Sequence, residues 1–138
     1  MEGDVEAAAN GQAYQQYFSK QHDLLRKAVR DFVKKEITPH VEEWEEAGDF
    51  PRELYKKIGD LGYNSVSYPE EYGGSDGDWF ENIAVLEEFC RCSSFGLVAS
   101  LFSHGIALPP IIKHGTPEQK EKFLRPKIGR AVQQECRD

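Results

Sequence analysis

The chain has 138 residues with 24 acidic and 17 basic side chains, which give a formal net charge of −7 at pH 7. This length predicts one domain with a single hydrophobic core that needs no disulfides. The negative charge argues against a nucleic-acid-binding surface, because such surfaces collect lysine and arginine. The chain has three cysteines, and Cys90 and Cys92 are separated by a single residue. We therefore interpret the cysteines as free thiols in a reducing compartment.

The two ends of the chain differ from its middle. Residues 1–17 form an acidic leader rich in Ala, Gly, Asn and Gln, which we expect to be disordered. The leader has neither a basic nor an apolar region, so it resembles no secretory signal or Arg-rich transit peptide. We therefore expect a cytoplasmic protein, and a mitochondrial location stays open. Residues 18–128 are predicted to be the folded domain, and residues 129–138 are a polar tail.

The first predicted helix begins after Ser19, its expected N-cap, with Asp23 in the first turn. Its apolar residues recur at helical spacing and define an inward face: Leu24, Leu25, Ala28, Val29, Phe32, Val33 and Ile37. The opposite face is predicted to hold Arg26, Lys27, Arg30, Asp31, Lys34 and Lys35. Pro39 is expected to kink or divide the helix, which continues past Trp44 to Gly48. We interpret the glutamates around Trp44 as a solvated helix end.

The second helix is predicted to begin at Pro51, where a missing amide hydrogen costs nothing, and to end at Gly62. The residues predicted to face inward are Leu54, Tyr55, Ile58 and Leu61. A loop rich in glycine follows, and we expect Val66 and Tyr68 to tuck inward from it.

The third helix is predicted to begin after Asp78, with Glu81 completing a reciprocal capping box. Its inward face is predicted to hold Phe80, Ile83, Ala84, Leu86, Phe89 and Cys90. Glu87 and Glu88 are predicted to lie outside.

The segment from Phe95 to Gly115 is predominantly apolar and contains no carboxylate. It has too many small residues and histidines for a membrane span, and we expect a buried helix with neighbours on most sides. A kink is predicted at Pro109 and Pro110, and Gly115 is predicted to be a left-handed cap.

The fifth helix is predicted to begin after Thr116, which acts as N-cap ahead of Pro117 and forms a capping box with Gln119. We expect it to reach about Pro126. No segment shows sustained strand alternation, so the predicted fold class is all-α, a bundle of about five helices.

Chemistry-bearing residues are few. Cys90 and Cys92 could be combined with His104 and His114 as a zinc set, but the spacing of the cysteines favours buried packing. His104 is interpreted as a satisfied core histidine. Gly73, Gly74 and Gly77, in the loop after the second predicted helix, follow no strand, so we interpret them as a turn and not as a phosphate-binding loop. We predict no catalytic, metal-binding or cofactor-binding residue in this chain.

Several short motifs along the chain are each common, but their combination in one order is specific to few protein families. The motifs are Phe50-Pro51-Arg52-Glu53-Leu54, Leu61-Gly62, Pro69-Glu70-Glu71-Tyr72-Gly73-Gly74, Glu87-Glu88, and the run from Gly115 to Leu124. In this order they resemble the N-terminal helical domain of the acyl-CoA dehydrogenase family, from about Phe18 to Ile128. After Ile128 and Gly129 the chain departs from the family pattern, and we expect a truncated or alternatively ended product.

The resemblance implies an FAD-dependent oxidation of the α,β bond of an acyl-CoA thioester. In the family the catalytic base and most flavin contacts come from a middle β-domain and a C-terminal helical domain, so this chain alone is expected neither to hold FAD nor to turn over. The resemblance also implies that five residues form a wall of the acyl-tail pocket: Val98, Ala99, Phe102, Ser103 and Ile106. For each of these five residues, the alternative is that the side chain only packs in the hydrophobic core and contacts no ligand.

Two other functional interpretations stay open. The domain could belong to an acyl-CoA oxidase or another flavoenzyme that shares it, since the residues that separate these enzymes lie outside this sequence. The chain could also be a non-catalytic helical module that associates with full-length homologous subunits. We expect no nucleic-acid partner.

Overall fold

The backbone of residues 16–128, the part that the computed structural model describes, forms eight α-helices and no strand. They are α1 (Lys20–Glu36), α2 (Val41–Ala47), α3 (Glu53–Asp60), α4 (Trp79–Cys90), α5 (Phe95–Leu101), α6 (His104–His114), α7 (Pro117–Phe123) and α8 (Arg125–Ile128). The all-α prediction is confirmed, because these helices occupy the five predicted helical regions, three of which are divided in two. The predicted tail and all but the last two leader residues lie outside the described residues.

The centre of the fold is the packing of α1 along α4. Both helices bury apolar residues at helical spacing, and α3 and α5 add to the same cluster. The residues that these helices contribute to the cluster are Val29, Val33, Val85, Phe89, Leu54, Ile58, Leu97, Val98 and Leu101. A second, smaller cluster joins α6 to α7 and α8 and contains Tyr68, Leu108, Leu124 and Ile128. The segment from α5 to α6 therefore connects the two clusters.

The inward face predicted for α1 is partly wrong. Leu24 is 70% exposed and Ala28 is exposed, whereas Arg26, predicted on the polar face, is only 6% exposed. The buried stripe is narrower than the apolar pattern, and Arg26 lies within it because its guanidinium meets acidic side chains of α4. Leu61 of the second predicted helix is also 52% exposed, since it follows the last residue of α3.

Glu88 was predicted to lie outside, and this is wrong because the residue is completely buried. Arg30 donates two hydrogen bonds to its carboxylate, both at 2.8 Å, and the Arg91 Nε lies 3.0 Å from Oε2. The Arg26 Nη1 lies 3.7 Å from Oε1. Buried carboxylates need such partners, so the burial of Glu88 follows from three arginines that converge on it.

Several predicted helix ends are confirmed. Asp78 accepts a hydrogen bond from the Glu81 amide at 2.8 Å, and its own amide donates to Glu81 at 3.1 Å. Thr116 and Gln119 form the same reciprocal box ahead of α7. Ser19 immediately precedes α1. These signals are local in sequence, which explains why the sequence reveals them.

The region around α3 agrees only in part with prediction. The α-helix begins at Glu53, two residues after Pro51, whose carbonyl accepts the Leu54 amide at 3.0 Å in the turn before the helix. Gly62 follows with a φ of 75°, as expected for a glycine that ends a helix. Val66 and Tyr68 are buried as predicted.

Candidate functional site

The apolar segment identified in the sequence is divided at Phe102 and Ser103, between α5 and α6. Pro109 and Pro110, where the sequence predicts a kink, both lie inside α6, which continues to His114. Proline removes a hydrogen-bond donor, but its ring also holds φ at a helical value. The carbonyls left without a helical donor belong to Gly105 and Ile106, which are exposed to solvent, so the helix tolerates both prolines.

Gly115 is not the left-handed cap that the sequence predicted. Its backbone is extended, with φ −69° and ψ 150°, and its amide donates to the Ile111 carbonyl at 2.8 Å. A Cβ at this position would lie 2.5 Å from the same carbonyl oxygen. Glycine is therefore favoured here by the close approach of two backbone segments, not by a positive φ.

The segment is also far less buried than predicted. Phe95 is 73% exposed and Ile106 is 84% exposed. Leu97, Val98, Leu101 and Leu108 are buried, and they attach one side of α5 and α6 to the two core clusters. By length and composition alone, Phe95–His114 could cross a membrane, with a mean hydropathy of 1.6. One side of the segment therefore presents large apolar side chains to solvent.

The five predicted wall residues do not share one environment. Val98 is buried in the main cluster, while Ala99, Ser103 and Ile106 are exposed. Phe102 is half-buried, and its ring packs edge-on against Phe89 at a centroid distance of 4.9 Å. Four of the five residues therefore have surface available to a ligand, whereas Val98 is part of the hydrophobic core.

A groove with a volume of about 1910 Å³ runs along another side of α5 and α6, and its opposite walls come from α2, α3, α7 and α8. Ser103 lines it, together with Ser100 and Tyr55. The Tyr55 hydroxyl donates to the Ser100 carbonyl at 3.3 Å. Nothing in the sequence pattern indicated this groove, because its residues come from distant helices.

His104 begins α6, and its Nε2 lies 2.7 Å from the carbonyl oxygen of Asn64. Burial lowers the pKa of this imidazole, against the opposing effect of hydrogen bonds to the backbone of Asn64 and Leu101. The interpretation as a satisfied histidine is thus in agreement with its contacts. No group of three or more metal-ligating side chains converges anywhere in residues 16–128, and Cys90 and Cys92 are free thiols.

A flavin needs an enclosed flat slot with polar groups at the ring edge. The groove is wide and open to solvent, and the residues that line it on α5 are Gly96, Leu97, Ser100 and Leu101. Residues 16–128 by themselves therefore do not fit FAD.

The chain is similar to curated proteins over most of its own length. It is 39% identical over 113 residues to the caffeyl-CoA reductase-Etf complex subunit CarC of Acetobacterium woodii, covering 81% of this chain and 30% of that protein. It is also 39% identical over 107 residues to the mitochondrial long-chain specific acyl-CoA dehydrogenase of Mus musculus, covering 78% of this chain and 25% of that protein. The chain thus spans less than a third of the length of these relatives.

A solved structure has the same fold. The acyl-CoA dehydrogenase of Bacillus anthracis, determined in complex with FAD, superposes with a TM-score of 0.70 at 30% identity, covering 84% of this chain and 20% of that one. The family model for the acyl-CoA dehydrogenase N-terminal domain matches residues 19–130. The chain therefore belongs to the acyl-CoA dehydrogenase family, and the part that matches is its N-terminal domain.

Proposed function

We propose that this chain is the N-terminal domain of an FAD-dependent acyl-CoA dehydrogenase and that it contributes a wall of the acyl-tail pocket. The proposed wall consists of Val98, Ala99, Phe102, Ser103 and Ile106. The reaction removes a proton from the α-carbon and a hydride from the β-carbon of the thioester. The groups that would accept the proton and the hydride lie in parts of such an enzyme outside this chain.

The observation that carries the proposal is the one-sided attachment of α5 and α6. Leu101 and Leu108 are 2% and 4% exposed, whereas Phe95 and Ile106 are largely exposed. An alkyl chain requires apolar or small side chains that no other part of the protein already covers. Ala99, Phe102 and Ile106 meet that requirement, since all three keep exposed or half-exposed surface.

The wall can be tested on the chain itself by NMR. An isotopically labelled sample is titrated with decanoyl-CoA and, in parallel, with coenzyme A. The proposal expects decanoyl-CoA, but not coenzyme A, to shift the amides of Ala99, Phe102, Ser103 and Ile106. Shifts confined to the groove residues Gly96 and Ser100 would contradict it, and so would the absence of any shift.

A matched pair of variants sharpens this test. Ile106→Asp introduces a charge into the proposed wall, so the decanoyl-CoA response should be lost. Trp79→Asp is the control, because Trp79 is 70% exposed on α4 and plays no part in the proposed wall. Equal loss of the response in both variants would indicate non-specific hydrophobic binding.

A second candidate function differs from the first in the direction of the reaction and in the electron partner. One relative is named as a subunit of a caffeyl-CoA reductase-Etf complex, and another, from Clostridium sporogenes, is a 3-(aryl)acrylate reductase that is 36% identical. A reductase that receives electrons from an electron-transferring flavoprotein is therefore the second candidate. Anaerobic bleaching of bound flavin by a saturated acyl-CoA favours the dehydrogenase, and reoxidation of reduced flavin by an unsaturated acyl-CoA favours the reductase.

A non-catalytic module that binds full-length homologous subunits, or the equivalent domain of an acyl-CoA oxidase, would use the same exposed face. A colourless chain that co-purifies with a longer homologue would support the module. A flavin reoxidised rapidly by oxygen would support the oxidase.

A cytoplasmic location is also part of our proposal and rests on the free thiols of Cys90 and Cys92. Fractionation of the producing cells tests it.

A further inference from the structure

Two of the proposed wall residues, Phe102 and Ser103, form the break between α5 and α6, and His104 directly follows them. The His104 Nε2 lies 2.7 Å from the carbonyl oxygen of Asn64, in the loop after α3. A carbonyl oxygen can only accept a hydrogen bond, so Nε2 carries the hydrogen and donates. His104 thereby connects the break to a different part of the fold.

The loop that carries the Asn64 carbonyl is held by its own backbone. The Tyr63 amide donates to the Ile58 carbonyl at 3.1 Å, and the Ser65 amide donates to the Gly62 carbonyl at 3.1 Å. Tyr63 and Ser65, on either side of Asn64, are 9% and 2% exposed. The acceptor is therefore fixed in place by buried neighbours and can act as a rigid anchor.

The first turn of α6 needs such an anchor. Pro109 and Pro110 have no amide hydrogen, so the carbonyls of Gly105 and Ile106 lack the usual helical donor four residues on. The turn that follows the break is thus joined to the rest of α6 by fewer hydrogen bonds than an ordinary helix provides. A side-chain bond at this point has a correspondingly large effect on where the break lies.

We propose that His104 is a positioning residue that fixes the orientation of Phe102 and Ser103 in the acyl wall. The ring of Phe102 lies 4.9 Å from Phe89 and 6.2 Å from His104, so a displaced break would change the surface that Phe102 offers to a ligand. This inference rests on the proposed acyl wall for its functional consequence. The positioning itself is a property of the ligand-free chain and can be measured separately.

The first measurement needs no variant. Nitrogen chemical shifts of the His104 ring should show the neutral tautomer with hydrogen on Nε2 above about pH 7, because burial lowers the pKa of this residue below the ordinary histidine value of about 6.5. A ring protonated on both nitrogens, or on Nδ1 alone, in that range would overturn the proposal.

The second measurement compares two variants of similar size. His104→Leu lacks a donor, whereas His104→Gln retains a side-chain N–H that can reach the Asn64 carbonyl. We expect His104→Leu to lose the nuclear Overhauser contacts between the Phe102 and Phe89 rings and to bind decanoyl-CoA roughly fivefold more weakly, the factor typical of one net hydrogen bond. His104→Gln should restore both.

The outcomes separate the two proposals. Unchanged ring contacts in His104→Leu, or equal effects of the two variants, would overturn the role of His104. If the unmodified chain gives no response to decanoyl-CoA while the ring contacts behave as expected, the positioning role stands and the acyl-wall function fails.

Discussion

Glu88 joins α4 to α1 through Arg26 and Arg30, and it also pairs with Arg91 at the end of α4; its complete burial makes these ion pairs important for stability. Glu88→Gln keeps the shape of the side chain but removes its charge. Removing one partner of a buried ion pair typically costs about 3 to 5 kcal/mol. We expect the low end of this range, because Arg30 and Arg91 are partly exposed and can be solvated.

The control is Glu87→Gln, since the neighbouring Glu87 side chain is 50% exposed and contacts Arg26. Arg26 is buried, but the Glu87 carboxylate is half exposed and Glu88 remains near Arg26, so Glu87→Gln should cost less than Glu88→Gln. Urea denaturation of both variants provides the comparison. Equal losses of stability at the two positions would show that the burial of Glu88 has no energetic consequence.

Glu88 also predicts how stability depends on pH. Hydrogen bonds from Arg30 lower the pKa of its carboxyl, against the effect of burial, and Arg91 and Arg26 act in the same direction as Arg30. A folded-state pKa below the unfolded value contributes stability that is complete above the unfolded pKa, about 4.3 for glutamate, and is lost as pH falls through the folded pKa. The urea midpoint should thus fall less steeply below about pH 4.3 in Glu88→Gln than in the unmodified chain; parallel profiles would contradict this.

The sequence does not distinguish Glu87 from Glu88. The two acids are adjacent on α4, and their different environments depend on arginines that lie 58 or more residues earlier in α1. Arg26 was assigned to the polar face for the same reason, since a charged residue inside an apolar stripe is recognisable only when its partner is known. Local patterns predicted the buried positions Val29, Val33 and Ile37 correctly, because those positions need no partner of opposite charge.

At the level of single helices, Thr116 gives a direct test of capping. Its side-chain oxygen accepts from the Gln119 amide at 3.3 Å, and the Gln119 Oε1 accepts from the Thr116 amide at 2.9 Å. Thr116→Ala should therefore destabilise the chain by about 0.5 to 2 kcal/mol. Thr116→Ser keeps the hydroxyl and should cost less. An unchanged denaturation midpoint in Thr116→Ala would mean that the cap contributes nothing.

The helix that carries the proposed wall gives a second test. Leu101 is 2% exposed and lies in the main cluster, so Leu101→Ala should cost about 2 to 5 kcal/mol through lost burial and a cavity. Phe102 is only half-buried, and part of its ring is available to a ligand. Phe102→Ala should therefore cost less than Leu101→Ala in urea denaturation. A loss at Phe102 equal to or greater than that at Leu101 would identify Phe102 as ordinary core and remove it from the wall.

Helix starts were easier to predict than breaks. The Asp78 and Thr116 boxes depend on residues three positions apart, so the sequence contains all the necessary information. The break at Phe102 and Ser103 lies beside a hydrogen bond from His104 to Asn64, forty residues earlier. Sequence reasoning placed the break at the prolines instead, because proline is the strongest local signal for one. The candidate wall residues came from family resemblance, and their exposure could be seen only in the folded chain.

For the whole molecule, the sharpest expectation concerns the flavin. Residues 16–128 form helices around two apolar clusters and an open groove, and an open groove cannot exclude water from both faces of an isoalloxazine ring. A polypeptide of these 138 residues should therefore bind FAD weakly and should lose it during gel filtration. The measurement is the visible absorbance of the protein peak after incubation with excess FAD, with the flavin-loaded enzyme of a full-length relative as the positive control. The expected peak is colourless. A peak with one flavin per chain would contradict the assignment of the flavin contacts to other domains, and it would require a cofactor site built from these helices.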